Sequence, residues 1–261
     1  MAKDVLILIP AYNEEDRIAN VLESLQTAEY QEFADILVVN DASKDNTARV
    51  ARQCNTTVIS QSFNMGYGSA LQLGYKFACR RGYKYIIQMD ADGQHDAVNV
   101  KAIYEELKKA DPDGNCPDIV IGSRFMGDSK VNYNIGAVKM VGYYLFSGMI
   151  RLFTGTKIKD VTSGLQGLNY KVFSYYSMYN RFDDKYPDAN MITQMLLLGC
   201  KVHEIPSVMH GRTGGKSMHS GLAPFIYVIR MMLSITAVVI RVRRGDMPNV
   251  SDETQGGITE S

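Results

Sequence analysis

Two aspartates one residue apart carry the strongest chemical signal in the sequence. Asp90 and Asp92 follow the apolar run 85–89 in the segment IIQMDADGQHD. Two carboxylates at the end of a buried strand are unfavourable unless a partner neutralises their charge. Mg²⁺ or Mn²⁺ would do so, because both ions prefer oxygen ligands and share them with phosphates, and Gln94 adds a neutral oxygen. A solvated acidic turn is the alternative, and His95 is more often a hydrogen-bonded structural residue than a ligand.

Cationic and hydroxyl side chains that suit phosphate follow later in the chain. Arg124 ends the motif GSR, and its guanidinium is a bidentate donor. The segment HGRTGGKSMHS at 210–220 is typical of a phosphate-binding loop or, alternatively, of a flexible basic loop. Its polar candidates are Arg212, Lys216 and Ser217. Asp160, in DVTSG, and Asp188 are candidate general bases for a reaction in which a hydroxyl group must lose its proton.

The first half of the chain alternates short apolar runs with helical patterns, and these elements must position the motifs. We predict strands at 5–9, 36–39, 57–59, 85–89 and 119–121, and helices at 14–25, 45–52, 69–81 and 97–109. Repeated strand–helix units predict an α/β fold with a mostly parallel, Rossmann-like sheet flanked by helices. Ligands of such sheets bind beyond the carboxyl ends of the strands, which is where the acidic pair lies.

The first two strands also end in polar residues. Within IPAYNEE, Pro10 stops the ladder so that the backbone can face a ligand, Tyr12 offers a stacking surface and Glu14 can accept from ribose hydroxyls. An ordinary turn before a capped helix is the alternative. Asp41, in VNDASKDNT, lies where a base or ribose would bind. In NMGYGSA, Gly68 lets the backbone approach a ligand, although a structural turn fits this motif as well.

The composition narrows the class of protein. Lys and Arg together number 28, as do Asp and Glu, and a net charge of zero argues against a general nucleic-acid binder. With 46% hydrophobic residues, the chain is expected to be globular. Its four cysteines form no CxxC pair and no secretory signal precedes them, so we expect a reduced, cytoplasmic protein.

An apolar segment near the end of the chain predicts membrane contact. Residues 222–240 approach the ~20 apolar residues of a spanning helix, but they contain Arg230 and lead into a basic segment at 241–244. We therefore predict an interfacial, amphipathic helix with 135–153 beside it. A core helix or a dimer contact is the alternative, and a small membrane protein or a second copy could cover the same surface. The expected organisation is an α/β domain at 1–221, this helix at 222–245 and a disordered tail at 246–261.

Taken together, the ordered motifs resemble those of the family 2 glycosyltransferases with the GT-A fold, and most closely the dolichyl- and polyprenyl-phosphate sugar synthases. The resemblance extends from about Val5 to Ser220. IPAYNEE resembles the family's first nucleotide-binding motif, DADGQH its metal-binding segment, and GSR, DVTSG and RTGGKS its acceptor-side motifs. The chain departs from the family at Asp96, where a proline is usual, and at Lys139, which stands nearest the place of an arginine.

This resemblance implies an inverting, metal-dependent transfer of a sugar from a nucleotide-sugar donor, with a uridine diphosphate favoured. It implies a site for Mg²⁺ or Mn²⁺ at Asp90, Asp92 and Gln94. Donor binding is assigned to Pro10, Ala11, Tyr12, Glu14, Asp41, Gly68 and Ala91. Binding of the acceptor phosphate is assigned to Arg124, Lys139, Arg212, Lys216 and Ser217. The catalytic set is Asp92, Arg124, Asp160 and Arg212.

The chemistry of the acceptor separates the remaining functions. A phosphate monoester needs no general base, because its second pKa is about 6, whereas a hydroxyl needs one. The cations of the second half favour a polyprenyl phosphate, with the enzyme bound peripherally at the cytoplasmic face of the membrane. Transfer to a saccharide hydroxyl is the alternative. A nucleotidyltransferase of similar sheet architecture is a third hypothesis, although IPAYNEE does not match the Gly-rich, basic signature usual for that class.

Asp92→Asn is expected to abolish sugar transfer while leaving the fold intact. The reason is that losing one carboxylate weakens the metal site that would stabilise the leaving group, at a cost of several kcal/mol in activation free energy. Turnover with and without excess chelator measures the effect, and thermal unfolding of the variant controls for its fold. Full activity of this variant, or of wild type in chelator, would refute the metal assignment.

Overall fold

Seven strands form one mixed sheet in the part of the chain that the structure describes. The computed structural model describes residues 3–133, 136–211 and 223–250. Its strands are β1 (Val5–Ala11), β2 (Ala34–Asn40), β3 (Thr57–Ser60), β4 (Tyr85–Gln88), β5 (Ile119–Ser123), β6 (Lys130–Val131), β7 (Gln166–Asn169), β8 (Val202–Pro206) and β9 (Val208–Met209). The sheet order is β3-β2-β1-β4-β7-β5-β8, and β6 pairs with β9 separately. Within the described sheet β7 runs antiparallel to its neighbours and the other pairs are parallel, so the predicted α/β fold is confirmed.

Helices cover both faces of this sheet. They are α1 (Ile18–Leu25), α2 (Ala28–Gln31), α3 (Thr47–Gln53), α4 (Tyr67–Arg81), α5 (Val98–Leu107), α6 (Ala137–Thr154), α7 (Tyr170–Ser177), α8 (Ala189–Leu197) and α9 (Ala223–Arg243). Side chains of β1 alternate between two cores. Leu6 and Leu8 pack with α4 and α6 to α9, whereas Ile7 and Ile9 pack with α1 and α5. Burial on both faces explains why β1 is a continuous apolar run.

Pro10 does not stop the first strand, which continues to Ala11. The N–H of Asp41 donates to the Ala11 carbonyl at 2.9 Å, and the N–H of Met89 donates to the Leu8 carbonyl at 3.1 Å. Successive residues of a strand face opposite neighbours, so Pro10 faces β4, whose pairing with β1 already ends at Leu8. The next donor in this parallel ladder would be the N–H that Pro10 lacks, so the pairing with β4 ends there while the pairing with β2 continues to Ala11.

The first helix begins later than predicted, at Ile18 rather than Glu14. Asn13 has a left-handed φ of 56°, and the N–H groups of Arg17 and Ile18 close a turn on the Glu14 carbonyl at 3.0 and 2.9 Å. The Asn13 side chain accepts from the N–H of Lys44 at 2.8 Å. Contacts between the loops after β1 and β2 thus replace the expected first turn of helix.

Strand β7 was not predicted from the sequence. Its four residues, QGLN, include types with low strand propensity. Gly167 is required because a Cβ there would lie 2.2 Å from a methyl of Ile103 on α5. Inserting β7 between β4 and β5 carries the chain from the segment at 160–164 back across the sheet, which brings that segment against the acidic pair.

The two apolar segments of the second half form α6 and α9, and each has an exposed apolar side. On α9, Met231, Ile235, Val238 and Val239 are buried. We define the outer apolar face as the exposed side chains Val141, Tyr144, Leu145 and Leu152 of α6 with Phe225, Ile226, Ile229, Leu233 and Ile240 of α9. The stretch Phe225–Arg243 has a mean hydropathy of 2.0 and is long enough to cross a membrane, yet its inner side belongs to the protein core.

The chain after α9 stays packed further than the sequence indicates. We expected a disordered tail from Asp246, but Met247 and Val250 are 5% and 1% exposed. Val250 joins the core that α9 helps to form. Residues 251–261 of the expected tail lie outside the described residues.

Close packing fixes the loop before α8 against the start of α4. A Cβ on Gly68 would lie 2.2 Å from the carbonyl oxygen of Asp183. The N–H of Ser69 also donates to the Asp184 carbonyl at 3.0 Å. Gly68, predicted to let the backbone approach a ligand, therefore lets another segment of the protein approach.

Gly68→Ala is expected to lower the free energy of unfolding by roughly 1–3 kcal/mol, because the backbone of 183–184 cannot yield as a flexible side chain can. Gly148→Ala is the matched control: this α6 glycine has nothing within 4 Å of an added Cβ, so the change should be neutral or stabilise by about 0.5–1 kcal/mol. Urea denaturation measures both. Equal stability of the two variants would contradict the packing argument.

Candidate active site

The acidic pair lies at the carboxyl edge of the sheet, directly after β4. The Asp90 carboxylate accepts from the Tyr67 hydroxyl at 3.1 Å and lies 3.6 Å from Nε2 of His95. The backbone of Gly164 passes so close that a Cβ there would lie 2.5 Å from an Asp90 carboxylate oxygen. Asp90 is therefore positioned by α4, by the DGQH turn and by the DVTSG segment together.

The buried side chain of His95 lies against the Asp90 carboxylate. Its side chain is 2% exposed, and among the described residues its Nδ1 has no hydrogen-bond partner. Burial alone would raise the pKa of Asp90, but the contacts from His95 and Tyr67 and the charge of Arg124 lower that pKa below its usual value. Asp90 is thus held as a carboxylate.

The residues predicted to hold a metal are suited to share it with a substrate. Asp92 accepts from the N–H of Gln94 at 3.1 Å, and the Gln94 amide nitrogen donates to the His210 carbonyl at 3.3 Å. No group of three or more His, Cys, Asp or Glu residues in the described ranges could hold a metal ion. Two carboxylates and one amide oxygen fit a hard cation that takes its other ligands from phosphate.

The donor-side residues surround the end of β1. Tyr12 is 39% exposed, whereas Ala11 and Ala91 are buried beside it. The Glu14 carboxylate accepts from the Arg17 guanidinium at 2.6 Å. It is therefore already ion-paired at the position predicted to bind ribose.

Asp41 orders the loop in front of α4. It is 4% exposed, and its two carboxylate oxygens accept from the N–H groups of Met65 and Gly66 at 2.7 and 2.8 Å. The loop that carries these N–H groups is next to the predicted donor site. The structure therefore shows Asp41 holding this loop, and its direct contact with a donor stays a prediction.

Arg124 and Asp160, both predicted as catalytic, form a buried ion pair. Nε and Nη2 of Arg124 donate to the two Asp160 carboxylate oxygens at 2.7 and 2.6 Å. Nη2 also donates to Thr162 at 2.9 Å and Nη1 to the Tyr143 hydroxyl at 3.3 Å. Burial would lower the pKa of Arg124, but Asp160 holds it above its usual value. The geometry favours a structural pair over Asp160 as a general base, because both of its oxygens receive the guanidinium.

Asp188 is the carboxyl group best placed to take up or release a proton. It precedes α8 and accepts from the hydroxyl of Tyr227, on α9, at 2.6 Å. Burial, followed by the nearby charge of Asp90, raises the pKa of Asp188 to about 6, although the Tyr227 hydrogen bond opposes this shift. From the sequence, Asp188 was predicted only as an alternative base, and Tyr67 and Tyr227 were missed. No distinctive sequence signal marked Tyr227, because α9 also carries the hydroxyls of Ser234 and Thr236.

The remaining predicted acceptor-side residues are not described. Arg212, Lys216 and Ser217 lie outside the described ranges. Lys139 lies in the first turn of α6, and its side chain is also outside the description. The first residue of the predicted 210–220 loop, His210, is described, and it donates its N–H to the Gln94 carbonyl at 2.7 Å. The predicted phosphate-binding loop therefore starts beside the acidic pair.

The raised pKa of Asp188 predicts a pH-dependent stability. The folded protein holds a proton on this group between its ordinary pKa of 3.8 and about 6, whereas the unfolded chain releases it. The contribution of Asp188 to the free energy of unfolding is therefore fully present below pH 4 and is lost as pH rises through 6, by ~3 kcal/mol. Asp188→Asn should remove this loss.

Urea denaturation at pH 4.5 and 7.5 in chelator compares wild type with Asp188→Asn. Asp184→Asn, a change at an exposed carboxylate in the same loop, is the matched control and should keep the wild-type difference between the two pH values. An unchanged difference in Asp188→Asn would show that burial does not raise the pKa of this group.

Comparisons with known proteins show the family to which the chain belongs. The family model described as glycosyl transferase family 2 matches residues 6–176. An uncharacterized protein of Methanocaldococcus jannaschii is 30% identical over 78% of this chain and 80% of that protein. An undecaprenyl-phosphate mannosyltransferase of Micrococcus luteus is 29% identical over 83% of this chain and 88% of that protein.

A further relative is similar in sequence, and a solved structure shares the fold. A dolichyl-phosphate beta-glucosyltransferase of Trichomonas vaginalis is 32% identical over 63% of this chain and 50% of that protein. Glucosyl-3-phosphoglycerate synthase from Mycobacterium tuberculosis, solved with Mn²⁺, UDP-glucose and phosphoglyceric acid, shares the fold with a TM-score of 0.66 and 15% identity, over 91% of this chain and 80% of that one. The chain is a glycosyltransferase, and it belongs to glycosyl transferase family 2.

Proposed function

We propose that the protein transfers a sugar from a nucleotide sugar, with a uridine diphosphate favoured, to a polyprenyl phosphate at the membrane surface. One observation carries this proposal: α9 bears both part of the outer apolar face and the Tyr227 hydroxyl that bonds Asp188 in the candidate active site. A lipid acceptor must present its phosphate where a bilayer surface meets the reacting atoms. The relatives named for dolichyl- and undecaprenyl-phosphate substrates support this acceptor class.

The chain's own residues would orient the two substrates at the sheet edge. Tyr12 is exposed for contact with the nucleotide, and Asp41 holds the adjoining loop. A divalent cation, Mg²⁺ or Mn²⁺, held by Asp90, Asp92 and Gln94 would neutralise the charge that develops on the leaving diphosphate. An acceptor phosphate oxygen would attack the anomeric carbon opposite that diphosphate, which inverts its configuration.

The acceptor phosphate would need cations rather than a base. Its second pKa is about 6, so it is largely a dianion at neutral pH. Arg124 is engaged by Asp160, and its ion pair would hold the DVTSG segment at the site. Lys139, Arg212, Lys216 and Ser217 remain the proposed phosphate contacts.

Transfer to a saccharide hydroxyl is the second candidate, because a carboxyl group with a pKa near 6 suits a general base. A panel of uridine and guanosine diphosphate sugars, incubated with Mn²⁺ and either undecaprenyl phosphate in vesicles or soluble saccharides, separates the two. We expect labelled sugar in the extracted lipid, with release of the nucleoside diphosphate and loss of both in chelator. Label confined to the saccharides would favour the hydroxyl acceptor.

The outer apolar face is proposed to dock on the cytoplasmic face of the membrane. Phe225 and Leu233 are 65% and 67% exposed, and side chains of this size favour an apolar environment by about 1.5–3 kcal/mol each. Arginines in the segment 241–244 would add an attraction to anionic lipid that salt screens. Because the inner side of α9 lies in the core, we propose peripheral binding rather than a membrane span.

The double variant Phe225→Glu/Leu233→Glu is expected to lose binding to anionic vesicles by at least ~10-fold. Tyr179→Glu, a change at an 88% exposed aromatic outside α6 and α9, is the matched control and should bind like wild type. Vesicle flotation measures both, and thermal unfolding checks that the core is intact. Unchanged flotation of the double variant would rule out this face as the docking surface.

A further inference from the structure

A groove of about 340 Å³ runs between α9 and the loop that precedes α8. Tyr227 lines one end, where its hydroxyl bonds Asp188 at 2.6 Å. Further along α9, the groove is lined by Leu233, which is part of the outer apolar face, and then by Ala237. From Tyr227 to Ala237 the helix rises about 15 Å. The groove therefore joins the candidate active site to the proposed membrane surface.

One cation lies along this groove in the described part of the chain. Arg230 follows Tyr227 by three residues, so both side chains lie on the same side of α9. The guanidinium carbon of Arg230 lies 4.5 Å from the centre of the Tyr186 ring. No carboxylate in the described ranges lies within ion-pair distance of Arg230. A guanidinium stacked on a ring keeps its N–H donors at the edge of the plane, where a phosphate can receive them.

The acidic residue in the groove has another role. One Asp183 oxygen accepts from the N–H groups of Lys185 and Tyr186 at 2.9 and 3.0 Å. The other accepts from the Asn190 amide at 2.9 Å. Asn190 also donates to the hydroxyl of Ser234, on α9, at 2.9 Å. These bonds fix the loop wall against α9, and they place the Tyr186 ring beneath Arg230.

We propose that Arg230 is the residue that first receives the acceptor's phosphate, while the adjoining isoprenoid chain lies along the groove towards Leu233. The inference rests on the proposed function and deepens it, because it assigns a receiving site on α9 separate from the contacts proposed on Lys139 and the 210–220 loop. A phosphate at Arg230 lies one helical turn, about 5 Å of rise, from Tyr227 and hence next to the Asp188 side of the active site. Arg230 is thus an acceptor-binding, specificity-determining residue.

The test is steady-state kinetics with undecaprenyl phosphate in neutral detergent micelles, where attraction to anionic lipid plays no part. Arg230→Gln should raise KM for the lipid phosphate about 10-fold, because a charge-assisted phosphate contact is lost. Its KM for the nucleotide sugar should stay at the wild-type value. Arg230→Lys should recover part of the loss. Arg80→Gln, which removes an exposed arginine of α4 outside the groove, is the matched control and should match wild type.

Each contrary outcome has a distinct meaning. An unchanged KM for the lipid phosphate in Arg230→Gln, in an enzyme whose wild type glycosylates that lipid, overturns the receiving site and leaves the proposed function standing. An equal rise in KM for the nucleotide sugar assigns Arg230 to the donor and likewise overturns it. Absence of any wild-type transfer to lipid phosphate, with transfer to a saccharide, overturns the proposed function itself. Thermal unfolding confirms that each variant compared is folded.

Discussion

The buried ion pair between Arg124 and Asp160 is the interaction on which the geometry of the site depends. It joins the end of β5 to the DVTSG segment, whose Gly164 backbone lies against Asp90. Glu204, on β8, accepts the N–H of Asp160 at 2.8 Å and so fixes the same segment from the other side. Removing one partner of such a pair leaves a charge buried alone, at a cost of about 3–5 kcal/mol. The acidic motif and the DVTSG segment therefore cannot move independently.

A second set of contacts joins α9 to the same centre. The loop at 183–188 rests on Gly68 at the start of α4, and its last residue, Asp188, bonds Tyr227 on α9. Tyr67, next to Gly68, bonds Asp90. A displacement of α9 would thus move Asp188 directly. It would also shift Asp90, through the loop at 183–188 and α4. The position of α9 and the arrangement of the carboxylates are therefore physically coupled.

The sequence predicts what is periodic and local in this molecule. The alternation of apolar runs and helical patterns predicted the strands to β5, and the placement of Asp90 and Asp92 after β4 predicted the site edge. It did not predict β7, because four residues containing Gly167 have no strand signature. The sequence also could not pair Arg124 with Asp160, because both residue types suit catalysis. Only the fold shows that these two residues, 36 positions apart in the chain, neutralise each other in an ion pair.

The two sides of α9 constrain how a lipid substrate could be reached. Met231 and Ile235 are 1% and 0% exposed in the core, whereas Leu233 between them is 67% exposed. Transferring the whole helix into a bilayer would uncover the core, so only the outer side is available to lipid. A helix held in this way would, if it docks on a bilayer as proposed, lie at the membrane surface rather than across it, at the depth of the lipid headgroups. That is the depth at which the phosphate of a polyprenyl carrier would lie, so its reacting oxygen could meet the site without leaving the interface.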